Sequence, residues 1–170
     1  MNRSKRLCVL AGALLVACAA TYGVLRYEEH REQIKNSDEV ILEVPADAVQ
    51  SLSWEYQSET LSFHREDETW RYDGDEAFPV DVEQISERLE LFQAFGVSFI
   101  IEDVEDYGQY GLDQPICTIS LGTEEKNYEI LLGNYSNMDS ERYVSIGDGN
   151  VYLVKTDPLD YFESVLMFLL

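Results

Sequence analysis

Histidine and cysteine are scarce in this 170-residue chain, which holds two of the first and three of the second. His30 and His64 stand alone, Cys8 and Cys18 lie in an apolar N-terminal stretch, and Cys117 has no partner in the rest of the sequence. Zinc sites draw on His and Cys at short spacings and a disulfide needs two cysteines, so neither is expected beyond the N-terminus. Nucleophilic catalysis needs a base beside its nucleophile. His64 alternates with Leu61 and Phe63 and is expected on the polar side of a strand, so no catalytic residue is assigned. No glycine-rich loop follows a strand and opens a helix, which removes the usual phosphate cradle. No cofactor and no metal are expected, and the chain is read as a non-enzyme.

Basic residues are also few: 12 Lys and Arg against 33 Asp and Glu, a net charge of −21. Beyond residue 36 the imbalance grows to six against thirty, a net −24. Such a field repels nucleic-acid phosphates and anionic lipid, so no nucleic-acid partner is expected. The carboxylates are interleaved with Trp, Tyr, Phe, Ile and Leu, a pattern of folded rather than disordered chain.

Long uncharged runs occur once. After "MNRSKR", the nineteen residues "LCVLAGALLVACAATYGVL" from Leu7 to Leu25 carry no charge. As a helix they would reach about 28 Å, near the thickness of a bilayer core. The expectation is a signal anchor or transmembrane helix over residues 1–26, with Arg3, Lys5 and Arg6 cytoplasmic. Residues 27–44 would form a polar stalk, and the rest would face the extracytoplasmic side of the membrane as a single-pass protein. Leu15-Val16-Ala17-Cys18 supports a second reading, a lipoprotein signal with Cys18 lipidated. Length and continuity of the run favour the anchor.

Residues 45–170 suit one compact domain. "VQSLSWEY" and "TLSF" alternate apolar with polar around a short polar break, and "TWRYD" adds Trp70 and Tyr72, so three strands are predicted. The period then changes: Val82, Ile85, Leu89 and Phe92 fall at helical spacing, with Asp81 as N-cap and Gln84 at the third position. "VSFII" returns to an extended pattern. "ICTISLG", "NYEILLG", "RYVSI" and "VYLVK" read as four more strands, the last two joined by "GDGN". Asp157-Pro158 then opens a final helix. The predicted fold is α+β: two successive β-rich units, 45–102 and 116–170, each ending in a helix packed on antiparallel sheet, preceded by the N-terminal transmembrane helix.

"DYGQYGLDQPICTISLG", from Asp106 to Gly122, joins the two units. Gly108 and Gly111 allow tight turns, Leu112 can plug an apolar site, and Pro115 ends the turn. Tyr107, Tyr110, Gly111, Leu112, Asp113 and Pro115 are read as a structural motif, with Tyr107 and Tyr110 packing across the junction. The acidic clusters "EDVEDYG" and "YDGDE" lack the twelve-residue spacing of a calcium loop and are read as solvated surface.

"YGLDQP" at Tyr110–Pro115, with "SLSWEY", "TLSF", Trp70, "PVD", "LLG", "YVSI" and "VYLV" in the same order around it, resembles the bacterial family called domain of unknown function 4340. The resemblance implies an anchored or exported protein, often a partner of membrane transport systems, and supplies no catalytic residues. Two functions follow as expectations. The first is a membrane-tethered accessory module that binds an envelope protein or transporter component through a sheet edge or acidic face. The second is an envelope hydrolase that uses paired carboxylates on polysaccharide.

Overall fold

A computed structural model of the chain describes residues 12, 14–22, 33–36 and 38–163. It divides into two units, Met1–Glu32 and Gln33–Leu170. In the first, residues 14–22 are helical and exposed, Cys18 among them, and Thr21 Oγ1 donates to the Ala17 carbonyl at 2.8 Å. Among the described residues, no helix is long and apolar enough to cross a membrane. The expected transmembrane helix, signal anchor and single-pass localisation are corrected accordingly; much of residues 1–26, and most of the stalk up to residue 37, lie outside the described residues.

Among its described residues the second unit holds ten strands: β1 (Gln33–Asn36), β2 (Val40–Leu42), β3 (Val49–Tyr56), β4 (Glu59–Glu66), β5 (Thr69–Tyr72), β6 (Phe95–Glu102), β7 (Cys117–Thr123), β8 (Asn127–Ser136), β9 (Glu141–Ser145) and β10 (Val151–Val154). The helices α1 (Val82–Glu90) and α2 (Leu159–Phe162) accompany them. The strands form one antiparallel sheet in the order β1-β6-β10-β9-β8-β7-β3-β4-β5, with β2 pairing beside it on β6.

This order overturns the expectation of two successive sheet-and-helix units. The first strand group does not close on itself. β3 pairs with β7, and β6 sits between β1 and β10 at the far side, so the sheet is continuous across the supposed boundary. The period of two reveals that a segment is a strand and which residues share a face, but not which strand lies beside it.

Local expectations hold where local chemistry governs. Asp81 Oδ1 accepts the backbone N–H groups of Glu83 (3.1 Å) and Gln84 (3.4 Å), while Gln84 Nε2 reaches back to Asp81 Oδ2 at 3.3 Å. That cap directs Ile85 and Leu89 of α1 into the core. Asp157 Oδ1 likewise accepts the N–H of Leu159 at 2.9 Å and starts α2. Residues 164–170 lie outside the described residues.

The main core lies on the face of the sheet that α1 and α2 cover, here the inner face. Alternate residues feed it: Leu52 and Trp54 of β3, Leu61 and Phe63 of β4, Ile119 and Leu121 of β7, Ile130 and Leu132 of β8. Trp54 stacks on Phe63 (5.6 Å between centroids) and meets Phe162 edge-on (5.2 Å). Both tryptophans are buried, as their strand positions predict. Each such ring, fully buried, contributes on the order of 2–3 kcal/mol. Arg88 is enclosed with them, its guanidinium 5.8 Å from the Trp54 ring and 5.9 Å from the Phe162 ring, and burial lowers its pKa from the ordinary value.

Candidate functional site

The opposite, outer face of the sheet is where the joint segment lies. Asp106 Oδ1 accepts the Gly108 N–H at 2.9 Å and starts a 3-10 turn over Gly108–Tyr110. Gly111 closes it in the left-handed region at φ 70°, its N–H bonded to the Gly108 carbonyl at 3.0 Å. The N–H of Leu112 returns to the Tyr107 carbonyl at 3.1 Å. This compact knot lowers Tyr110 and Leu112 onto outward residues of four strands: Ile101 (β6), Val151 (β10), Tyr143 (β9) and Leu131 (β8). Tyr110 and Tyr143 rings lie 4.9 Å apart. The segment is therefore the plug of a second, smaller core, and Tyr107 packs at its margin. Asp113 is exposed, and after Pro115 the N–H of Ile116 bonds to the Leu132 carbonyl at 2.8 Å.

The plug crosses the sheet at Gly133. A Cβ there would fall on the Tyr110 carbonyl oxygen and lie 3.0 Å from Leu112 Cγ. From the inner side the same residue is held by Arg142, whose Nη1 donates to the Gly133 carbonyl at 2.8 Å. Arg142 is buried, and its Nε donates to Asp157 Oδ1 at 2.7 Å, the carboxylate that caps α2. Sequence reading missed this clamp. A signal existed: Arg142 shares the inward register of β9 with Val144, where a cation is out of place unless paired.

An open cleft of about 700 Å³ lies where the plug ends. Its walls are the end of β3 with its turn (Glu55, Tyr56, Gln57, Ser58) and the segment Gln114–Ile116 with Thr118. Gln57 and Ser58 occupy the turn at φ 52° and 66°, and Gln57 Nε2 donates to the Tyr56 hydroxyl at 3.0 Å. Of the residues singled out in the sequence, Pro115 alone lines this cleft; Tyr107, Tyr110, Gly111 and Leu112 build the plug beside it. The glutamines were missed because isolated polar residues in turns carry no pattern.

At the other end of β3 and β7, two adjoining grooves of about 460 and 330 Å³ share Asp47 and Gln50. Glu124 and Glu125 line one with Pro45 and Tyr128; Asp67, Glu68 and Arg65 line the other.

The remaining titratable groups do not converge. His64 lies on the outer face, as expected, with its Nδ1 2.5 Å from Asp73 Oδ1. Cys117 is a buried inner-face thiol whose pKa burial raises from 9.0 to about 12, so it is protonated at neutral pH. Among the described residues, no three or more His, Cys, Asp or Glu are grouped so as to hold a metal ion.

Fold and site together define a single antiparallel-sheet domain with a plugged outer face and an open polar cleft. The chain belongs to the family described as Domain of unknown function (DUF4340), which matches residues 70–165. The resemblance read from "YGLDQP" is thus shown, although the match begins at Trp70 and leaves β3 and β4 outside it. No curated protein and no solved structure matches the chain.

Proposed function

We propose that this domain is a non-catalytic binding module that docks a partner protein through a basic surface on the partner. The observation that carries the reading is the placement of charge. Six cations stand among thirty carboxylates after residue 36, and each of the six is already engaged inside the domain. Arg142 is bound to Asp157, Lys155 to Asp38 (2.6 Å) and Arg71 to Glu66 (3.3 Å). Arg88 is buried against Gln84 and two rings. Arg65 donates to the Asp47 carbonyl at 3.0 Å, and Lys126 lies 4.7 Å from the Tyr128 ring centroid. The carboxylates are left to shape the outward field, and such a field steers cationic surfaces and rejects anionic ones. The grooves flanked by Asp47, Asp67, Glu68, Glu124 and Glu125 against one cation, Arg65, with Pro45 and Tyr128 as apolar footing, are the place where that field meets contact area.

The test is cross-linked co-purification from cell extracts, run with the native chain and with Asp67→Asn, Glu68→Gln, Glu124→Gln and Glu125→Gln combined. One defined partner should be enriched by the native chain and lost with the variant. It should also weaken as salt rises from about 0.1 to 1 M, over which the screening length shrinks from about 10 to 3 Å. Equal recovery by both chains, or recovery insensitive to salt, counts against the proposal. The hydrolase reading draws no specific support from the cleft beside the plug, which offers one carboxylate, Glu55, where glycosidic hydrolysis canonically uses two.

A further inference from the structure

The cleft beside the plug differs from the rest of the surface in one respect: charge is almost absent from it. Among the described residues Glu55 is the one carboxylate that lines it, and none of the six cations does. What lines it instead is a set of groups that both donate and accept hydrogen bonds, the carboxamides of Gln57 and Gln114 and the hydroxyls of Ser58 and Thr118. Between them stand apolar surfaces: Tyr56, half-buried against the edge of the main core, Pro115, and Ile116, which is 38% exposed. At about 700 Å³ the cleft is in the size range of small-molecule sites.

An anionic ligand would find no counter-charge here and would cross a net −24 field to reach it. A cationic ligand would find one carboxylate, while the groove at the other end of the same strands carries five. The chemistry that fits is neutral, rich in hydroxyls that each donate and accept, and possessed of an apolar C–H face to lie on an aromatic ring. That describes an uncharged sugar chain.

A second observation bears on the length of the ligand. Glu55 and Thr118 of the cleft belong to the outer sheet face, where the cross-strand rows are rich in hydroxyls. Thr60, Glu55 and Thr118 lie side by side across β4, β3 and β7, and Ser62, Ser53 and Ser120 form the next row. Gly122 leaves room for the Ser51 hydroxyl in the row after. A ligand longer than the cleft would continue along hydroxyls, with Glu55 inside the first row and Glu129 flanking Ser120 in the second.

We propose that the cleft between the β3–β4 turn and Gln114–Ile116 binds a neutral oligosaccharide, with Tyr56 as its stacking wall and Gln57 and Gln114 as its principal hydrogen-bond partners. The site is independent of the protein-docking groove.

The test titrates the full chain with cellotriose, maltotriose and chitotriose, each to about 10 mM, roughly ten times a millimolar Kd. Ligand-observed NMR and calorimetry give the readout. At least one sugar should bind saturably, and the double variant Gln57→Ala/Gln114→Ala should weaken it by about tenfold, the loss of roughly one to two hydrogen bonds. Both glutamines are exposed, so the variant should keep the native melting temperature. Tyr56→Ser, checked by the same melt, should weaken binding further. Neutralising Glu124 and Glu125 should leave sugar binding unchanged, which separates this site from the docking groove. Failure of all three sugars to bind overturns the proposal, as does binding unchanged in the double variant. Equal affinity for a trisaccharide of uronic acids overturns its neutral-ligand basis.

Discussion

The outer face of the sheet is finished in two ways. Over β6, β10, β9 and β8 it is apolar and covered, with Ile101, Val151, Tyr143 and Leu131 roofed by Tyr110 and Leu112. Over β4, β3 and β7 it is hydroxyl-lined and open, with Ser62, Ser53 and Ser120 in one row. Both halves share the same inner core, so the covering segment is not needed to bury that core. It is needed because the strands beneath it carry apolar residues on both sides. A sheet buried on one face alternates apolar with polar, whereas one buried on both faces cannot. β10 is buried at every position, while β3 alternates.

The comparison makes substitutions in the two halves unequal. Gly133→Val should have the largest effect, because the new side chain would meet the Tyr110 carbonyl and Leu112 together. Loss of the cooperative melt is expected, and a variant with native stability would disprove the close crossing. Gly111→Val joins it: a β-branched residue would have to hold φ 70° with its Cβ 2.5 Å from Asn134 Oδ1.

Arg142→Met should cost about 3–5 kcal/mol in denaturant unfolding, since it leaves the Asp157 carboxylate without its cation. Pairing it with Asp157→Leu should recover part of that loss even though the α2 cap is removed; a double variant worse than the sum of the two would count against a clamp. Leu112→Ala should cost about 2–4 kcal/mol as a core truncation, despite its place in a loop.

Alkaline pH acts through the inner face common to both halves. Burial raises Cys117 from 9.0 to about 12, and burial together with the Asp148 hydrogen bond raises Tyr152 from 10.0 to about 12. In each case the folded chain holds a proton that the unfolded chain releases first. The stability from these groups is complete below about pH 9 and is lost as pH rises towards 12, by about 1.4 kcal/mol per pH unit for each group. Denaturation midpoints measured from pH 7 to 11 should therefore begin to fall near 9 in the native chain and only near 10 in Cys117→Ala. The smallest effect belongs to the open half: Ser53→Ala and Ser120→Ala should change stability by no more than about 0.5 kcal/mol.

Legibility from sequence followed the range of the interaction. Alternation in "SLSWEY", helical spacing after Asp81 and the glycines of "GDGN" are local, and the structure repeats them: Trp54 inward, Asp81 capping, Gly147 and Gly149 at φ 79° and 95°. "YGLDQP" was read as a joint, with Leu112 as a plug, because a left-handed glycine beside an apolar residue is a local signature. Its target was not legible, since Gly133 and Leu131 lie about twenty residues away in sequence and only the strand order brings them beneath it. The same limit produced the mistaken tandem units. The cleft was invisible for another reason: Gln57, in the β3–β4 turn, and Gln114, before β7, acquire meaning only by lining the same space.

The place of β3 in the sheet bears on how the domain can be cut. The family match begins at Trp70, yet β3, which precedes it, is the strand that satisfies one whole side of β7. A chain trimmed to residues 70–165 would bare that side, the flank of β5 that β4 now covers and the flank of β6 that β1 and β2 now pair with. Unpaired strand flanks recruit strands from other molecules. Such a fragment would form assemblies held by borrowed strands, and adding peptides of residues 33–44 and 49–66 together should return it to single copies.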